Sequence, residues 1–149
     1  CRALRASGCD ELAIGVESAD DQVLKAVNKL ETVENMKRAI QLIKASGMRT
    51  KTYWMTGLPK ETWFSIELNK LFMKEVKPDR WTLSMFAPFP GCDIERNPEK
   101  YGVKILNRDY SLYSNFSKSF IKTDVSSNEE LNQHYQEFYK YLVSEEWKK

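Results

Sequence analysis

The chain has 149 residues, of which 42% are hydrophobic, so it is long enough to bury the core of one globular domain. Its 23 basic and 21 acidic residues give a formal net charge of +2, and because the two signs alternate they argue against a continuous basic surface for nucleic acid. The three widely spaced cysteines argue against a disulfide framework, and no apolar run approaches the roughly 20 residues that span a bilayer, so we expect a cytoplasmic protein with free thiols.

The first half of the chain repeats one pattern, in which a helix stops at a glycine and an apolar strand follows. Residues 4–8 (Leu-Arg-Ala-Ser-Gly) recur 39 residues later as 43–47 (Ile-Lys-Ala-Ser-Gly), a spacing that suits one strand plus one helix. This phase predicts a helix end at 1–7 and a strand over 11–16, whose nearly continuous apolarity is typical of a parallel strand buried on both faces. The elements predicted next are a short helix from Asp20 to Val27, a helix capped by Thr32, a strand over 49–55, a helix from Glu61 to Val76 and a strand from Arg80 to Phe86.

The later elements are less regular. The helix from Glu61 to Val76 is predicted to pack through apolar side chains at helical spacing, namely Phe64, Leu68, Leu71 and Phe72. A short helix near 93–100 and an irregular stretch over 107–126 follow, and the last helix begins at Ser127 with the Ser-x-x-Glu spacing of a capping box. No linker rich in Pro, Gly or Ser divides the chain, so we expect residues 1–102 and the extension 103–149 to form one domain.

Two of the predicted strands end in residues suited to binding a ligand, and ligands of parallel α/β proteins bind at the carboxyl ends of strands. Glu17 follows the first strand, where a carboxylate needs a cleft, a cation or a hydrogen-bond donor, unless it merely favours the start of a helix. Lys29 could fold back over the same cleft, although a lone lysine is more often solvated. Met55 could offer an apolar surface to a flat ring and Gly57 a close backbone approach, although Gly-Leu-Pro also ends strands for local reasons.

The sequence offers no metal site of its own. The cysteines are Cys1, Cys9 and Cys92, and the one histidine is His134. Because these residues lack the spacing of a zinc or iron–sulfur motif, we interpret Cys92 and His134 as packing or surface residues.

Several segments, taken in order, resemble the radical S-adenosylmethionine (radical SAM) superfamily. The resemblance is strongest to the branch shared by cobalamin-linked radical enzymes, methylthiotransferases and coproporphyrinogen dehydrogenases, and it covers about residues 3–102. The segments that carry it are 6–10 (Ala-Ser-Gly-Cys-Asp), 14–18 (Ile-Gly-Val-Glu-Ser), 23–29 (Val-Leu-Lys-Ala-Val-Asn-Lys), 57–62 (Gly-Leu-Pro-Lys-Glu-Thr) and 88–91 (Pro-Phe-Pro-Gly).

The resemblance implies a fold, cofactors and roles for four residues. The fold is a partial (β/α) barrel, in which S-adenosylmethionine lies across the carboxyl ends of the strands against a [4Fe–4S] cluster, with cobalamin as a possible further cofactor. Glu17 matches the residue that accepts hydrogen bonds from the ribose hydroxyls, and Lys29 matches a basic residue near the methionine carboxylate. Met55 falls against the adenine and Tyr53 at a second ribose-facing position. Gly57, which allows a close backbone approach, completes the set of predicted cofactor-binding residues.

The departures from the family pattern suggest that this chain is the later part of a longer enzyme. The Cys-x₃-Cys-x₂-Cys motif that holds the cluster is absent, and position 1 is cysteine rather than methionine. We therefore expect a fragment that lacks the N-terminal βα units and is inactive alone, whose partner is the N-terminal remainder of the parent enzyme. Cys92 also replaces a common threonine, Lys29 replaces a frequent arginine, and residues 103–149 match no family pattern.

Truncation before the first strand would leave that strand with a free edge, so we expect self-association as a homodimer. Two other hypotheses remain open. The chain could be a non-catalytic α/β domain that kept this framework and binds another protein, or an unrelated small α/β domain whose motifs match by accident. The last hypothesis predicts that Glu17, Lys29 and Met55 do not converge on one cleft. The substrate and the outcome of the reaction are not encoded in any motif of the sequence.

Overall fold

The computed structural model describes residues 1–113 and 118–149, and a parallel sheet of three strands lies at its centre. The strands are adjacent in chain order: β1 (Glu11–Glu17), β2 (Arg49–Thr56) and β3 (Arg80–Met85). The helices of this part are α1 (Arg2–Ala6), α2 (Asp21–Ala26), α3 (Val33–Ala45) and α4 (Trp63–Val76). The predicted strand–helix repeat is therefore confirmed, and none of the described helices is long and apolar enough to cross a membrane.

Local sequence explains where these elements begin and end. The side chains of Asp20 and Thr32 accept hydrogen bonds from backbone N–H groups in the first turns of α2 and α3, as predicted for N-caps. The repeated glycines, Gly8 and Gly47, have φ values of +95° and +73°, a conformation that costs glycine little and other residues more. The two glycines therefore mark where the helices end, shortly before β1 and β2 begin.

Helices cover one face of the sheet, and the other face is open over the described residues. Trp54 of β2 is 1% exposed and packs edge-on between Phe72 of α4 and Phe138 of the C-terminal helix, at ring-centroid distances of 5.6 and 5.2 Å. The neighbouring residues of β2 alternate, so that Tyr53 lies on the open face. The residues of β2 that face the helices are Thr50, Thr52, Trp54 and Thr56, and all four are buried.

The prediction that β1 is buried on both faces is wrong. Only Val16 is fully buried, and Ala13 is exposed. The reason is that β1 pairs with β2 alone in the described part of the chain, and that its second face belongs to the open side of the sheet.

The predicted start of α4 is also wrong, and its predicted packing face is correct for Leu68 and Phe72 but wrong for Phe64 and Leu71. The helix begins at Trp63 rather than Glu61, and Phe64 and Leu71 are 68% and 63% exposed. The buried face is rotated because it includes two polar residues, Ser65 and Asn69. Both form hydrogen bonds with the segment after β1: the Ser65 hydroxyl donates to the Asp20 carboxylate at 2.7 Å, and Asn69 Oδ1 accepts from the Ala19 N–H at 2.6 Å. The buried apolar residues of α4 are Ile66, Phe72, Met73 and Val76.

The C-terminal third contains an antiparallel pair of short strands that the sequence did not predict. Residues 114–117 of the predicted irregular stretch lie outside the described residues. The predicted helix near 93–100 is shorter, because Pro98 cannot continue it and a 3₁₀ turn follows. The elements are α5 (Asp93–Arg96), 3₁₀ turns at Pro98–Tyr101, Tyr110–Leu112 and Glu146–Lys148, strands β4 (Val103–Ile105) and β5 (Ile121–Thr123), and α6 (Asn128–Ser144).

Helix α6 joins this region to the sheet. Its predicted capping box is confirmed, since the Ser127 hydroxyl and the Glu130 carboxylate each accept from the other residue's backbone N–H, at 3.2 and 2.7 Å. Phe138 packs in the main core, and Leu131 packs in a second apolar cluster with residues of β4 and β5. The extension therefore covers the sheet, although its assignment to the same domain stays a prediction.

Candidate functional site

The end of β1 has an unusual backbone. Glu17 adopts φ = 64°, which is uncommon for a residue other than glycine, and the ladder with β2 shifts register between Gly15 and Glu17. The Lys29 ammonium lies 3.6 Å from Glu17 Oε1 and donates a 2.6 Å hydrogen bond to the carbonyl of Gly15. Backbone outliers of this kind cluster at functional sites, so the end of β1 is a candidate functional site.

Gly15 allows the Glu17 side chain to fold back over the strand. A Cβ atom at this position would stand 2.6 Å from Glu17 Oε1 and 3.5 Å from Lys29 Nζ. Any larger residue would therefore displace the carboxylate. The two charged side chains are only partly exposed, at 27% for Glu17 and 23% for Lys29, so they form a fixed pair at the edge of the sheet.

A cavity of about 450 Å³ opens beside this pair, at the carboxyl ends of the three strands. Its walls are almost entirely apolar, and Glu17 and Ser84 supply the polar side chains. An apolar cleft with a few fixed polar groups is the common form of a small-molecule site. The lining residues are Glu17, Val27, Met55, Leu58, Ser84, Met85, Phe86, Ala87, Phe89, Cys92 and Ile94.

A larger cleft of about 640 Å³ lies elsewhere, on the outer surface between Trp63 and α6. It is lined mainly by exposed polar side chains of α6 and lies away from the strand ends. We take the apolar cavity as the candidate site, because it lies where parallel α/β folds bind ligands.

The predicted site residues take different places around this cavity. Glu17 and Met55 line it, and Lys29 reaches it through its ion pair with Glu17. Tyr53 is not in the lining; it is 40% exposed on the open face, with the Lys51 ammonium 4.6 Å from its ring centroid.

Gly57 lies directly behind the cavity wall. Its φ is +79°, and a Cβ there would approach Met85 Sδ to 2.5 Å. The backbone therefore favours glycine here, and a larger residue would have to displace the side chain of Met85, which lines the cavity.

Sequence reasoning missed a buried polar pair beneath this turn. The Glu61 and His134 side chains are both 0% exposed, with Oε1 and Nδ1 3.0 Å apart, and Glu61 Oε1 also accepts from the Gly57 N–H at 2.9 Å. Burial raises the pKa of the Glu61 carboxyl above its ordinary value, and the hydrogen bonds from His134 and Gly57 oppose that rise only in part. Glu61 was predicted to start a helix, and no sequence pattern indicates a partner so distant.

The residues do not fit an iron–sulfur cluster. All three cysteines are free, and the described part of the chain has no group of three or more His, Cys, Asp or Glu side chains that could hold a metal ion. Cys92 lines the cavity, and its Sγ accepts from the Glu95 N–H at 3.4 Å as the N-cap of α5. This placement agrees with the packing role predicted for Cys92.

Residues 1–71 match the family model described as the radical SAM superfamily. The chain belongs to the radical SAM superfamily. Over 127 residues it is 32% identical to the anaerobic magnesium-protoporphyrin IX monomethyl ester cyclase of Rubrivivax gelatinosus, an alignment that covers 85% of this chain and 22% of that protein. This radical SAM chain thus spans about a fifth of the length of that curated relative.

Solved radical SAM structures show the same fold. Coproporphyrinogen III oxidase from Escherichia coli has a TM-score of 0.69 at 23% identity, over 95% of this chain and 28% of that one. The radical SAM methyltransferase TsrM from Kitasatospora setae, solved with cobalamin and a [4Fe–4S] cluster, has a TM-score of 0.55 at 18% identity, over 71% of this chain and 23% of that one. The predicted fold class, a fragment of a radical SAM (β/α) barrel, is confirmed.

Proposed function

We propose that this chain supplies part of the S-adenosylmethionine site and of the substrate cavity of a radical SAM enzyme, and that it performs no radical chemistry alone. The observation that carries the proposal is that Glu17 and Met55, from neighbouring strands, line one cavity at the carboxyl edge, with Lys29 paired to Glu17. The competing hypothesis, that the motifs match by accident, predicted the opposite: that these three residues would not converge on one cleft.

The cavity has the chemistry that the adenosyl part of the cofactor requires. In such enzymes S-adenosylmethionine supplies a carbon radical that removes a hydrogen atom from the substrate. Here the Glu17 carboxylate would accept hydrogen bonds from ribose hydroxyls, and Met55 would lie against the adenine, since both side chains border the same apolar space. Tyr53, on the open face two residues before Met55, would offer a second polar contact.

The main proposed role of Lys29 is to position the Glu17 carboxylate. Its ammonium is already shared between the Glu17 carboxylate and the Gly15 carbonyl, at 3.6 and 2.6 Å. The lysine therefore holds the carboxylate in place, and its remaining charge favours a nearby anion such as the methionine carboxylate of the cofactor.

The described part of this chain offers no ligand set for the cluster. Because the three cysteines of this chain have neither the spacing nor the geometry to ligate it, we propose that an N-terminal remainder supplies both the cluster and the missing strands of the barrel. Participation of cobalamin and a cytoplasmic location stay predictions.

Titration of the chain with S-adenosylmethionine, followed by isothermal calorimetry or ligand-detected NMR, tests the proposal. Replacing Glu17 with alanine should weaken binding about tenfold, since a hydrogen bond to a charged group is lost. Gly15→Ala should have a similar effect by displacing the carboxylate, and should add nothing in the Glu17→Ala background. Glu34→Ala is the matched control, because the Glu34 side chain is 80% exposed on α3.

Equal affinity in Glu17→Ala and the parent chain would remove Glu17 from the site. If the parent chain shows no affinity even when it is joined to its N-terminal remainder, the hypothesis of a non-catalytic protein-binding domain replaces the enzyme hypothesis.

A further inference from the structure

A buried side chain forms a hydrogen bond with the turn between β2 and α4. Residues 57–61 (Gly-Leu-Pro-Lys-Glu) leave the strand, and the Glu61 carboxylate folds back to accept the Gly57 N–H at 2.9 Å. Leu58, the next residue of the turn, is 3% exposed and lines the candidate cavity. The position of this cavity wall therefore depends on where the Glu61 carboxylate is held.

The carboxylate is held by the C-terminal region. His134 of α6 contacts Glu61 Oε1 through Nδ1 at 3.0 Å, and both side chains are fully buried. Two further contacts join the same segments: the Ser126 hydroxyl donates to the Glu61 carbonyl at 2.8 Å, and Lys60 forms an ion pair with Asp124. Residues 124–134 thus fasten the turn at three points.

A buried polar pair costs folding free energy unless all of its polar atoms are hydrogen-bonded. Glu61 Oε2 and His134 Nε2 are buried and have no hydrogen-bond partner within the described residues. Two apolar side chains of similar volume would pack in this place at no such cost. What the pair provides, and apolar residues could not, is a fixed acceptor for the Gly57 N–H.

We propose that His134 is a positioning residue, which orients the Glu61 carboxylate and thereby fixes the Gly57–Leu58 turn that walls the ligand cavity. The C-terminal helix, outside the residues 1–71 that match the radical SAM family model, then helps to shape the cofactor site. The link between helix and turn stands independently of the proposed function, and only its effect on cofactor affinity rests on that function.

Amide hydrogen exchange measured by NMR on the chain tests the link. The variant His134→Gln places its side-chain amide near the position of Nε2, whereas His134→Asn places it near that of Nδ1, where the contact with Glu61 lies. We expect His134→Gln to speed exchange of the Gly57 N–H about tenfold and His134→Asn to keep it near the parent rate.

The comparison amide is that of Asp79, which donates to the Thr50 carbonyl at 3.0 Å at the other end of the sheet. Phe138→Leu is the control for general loosening of α6, because Phe138 packs on Trp54 and is not a hydrogen-bond partner of Glu61. In this control, exchange at Gly57 and Asp79 should change together. Equal rates at Gly57 in both His134 variants, or a change shared equally with Asp79, would overturn the proposal.

Titration with S-adenosylmethionine gives the second readout. His134→Gln should raise the dissociation constant several-fold while His134→Asn stays near the parent value. If the parent chain, joined to its N-terminal remainder, does not bind S-adenosylmethionine, the proposed function fails, and the exchange of the Gly57 amide still decides whether His134 positions the turn.

Discussion

Glu17 can be recognised as a candidate functional residue because its conformation and its environment cost folding free energy. It combines a left-handed backbone with a partly buried charge, two features that folding alone does not favour. Two nearby residues accommodate the charged side chain: Lys29 pairs with the carboxylate, and Gly15 has no side chain that would collide with it. The sequence predicted where Glu17 would lie because the apolar run before it fixes the strand end. The left-handed backbone coincides with a register shift in the pairing with β2, and local sequence does not encode that pairing.

The contact between Glu61 and His134 could not be predicted from the sequence in this way. The two residues are 73 positions apart, and each has a common local interpretation, as a helix-start acid and as a packing histidine. Their contact arises only when α6 packs across the sheet. Fold-level packing, rather than any motif, places a titratable group beneath the turn.

The raised pKa of Glu61 predicts a pH-dependent cost. A carboxyl whose folded pKa lies above its ordinary value of 4.5 contributes its full stability below that pH, and the contribution falls as pH rises through the folded value. Glu61→Gln cannot ionise, so the variant should gain stability relative to the parent between about pH 4.5 and 8. Urea unfolding of both proteins at the two pH values measures this shift.

Glu95→Gln provides a control of opposite sign. Arg108 lowers the pKa of the Glu95 carboxyl, so the stability that Glu95 contributes is present above its ordinary pKa and is lost as pH falls. This variant should therefore lose stability relative to the parent as pH rises. A difference between Glu61→Gln and the parent that stays constant with pH would contradict the assignment of burial as the dominant effect at Glu61.

At the scale of elements, the sequence predicted boundaries better than faces. The caps at Asp20, Thr32 and Ser127 are local contacts between a side chain and a nearby backbone, and the structure contains all three. The buried face of α4 could not be deduced in the same way. Ser65 and Asn69 have the polarity of surface residues and become core residues only through partners on another segment.

The rotated face of α4 predicts a sharp contrast between two aliphatic residues of that helix. Ile66 is fully buried and Leu71 is 63% exposed. Replacing Ile66 with alanine should cost about 2–5 kcal/mol of unfolding free energy, through lost burial and a cavity. The same change at Leu71 should fall within about 0.5 kcal/mol of the parent. Chemical denaturation measures both, and similar losses would show that the helix packs as its apolar pattern alone suggested.

At the scale of the whole molecule, the sheet is complete on one side only. Helices α3, α4 and α6 cover one face, whereas the face that carries Tyr53 and the outer edge of β1 have no covering element in the described part of the chain. Among the solved structures with the same fold, the portion equivalent to this chain is 28% of coproporphyrinogen III oxidase and 23% of TsrM. We therefore expect the open side to be the one that the remainder of a radical SAM enzyme would cover.

The free edge of β1 predicts that the isolated chain associates with a second copy. An unpaired strand edge presents rows of backbone N–H and C=O groups, and a second β1 edge can satisfy them. Light scattering coupled to size exclusion at micromolar concentration should give the mass of a dimer. Ala13→Lys should restore the monomer, because Ala13 is exposed on β1 and a charge on an edge strand opposes pairing. Gln22→Lys, on the exposed surface of α2, adds the same charge away from the edge and should leave the dimer intact. A monomeric mass for the parent chain would show that the edge is not used in this way.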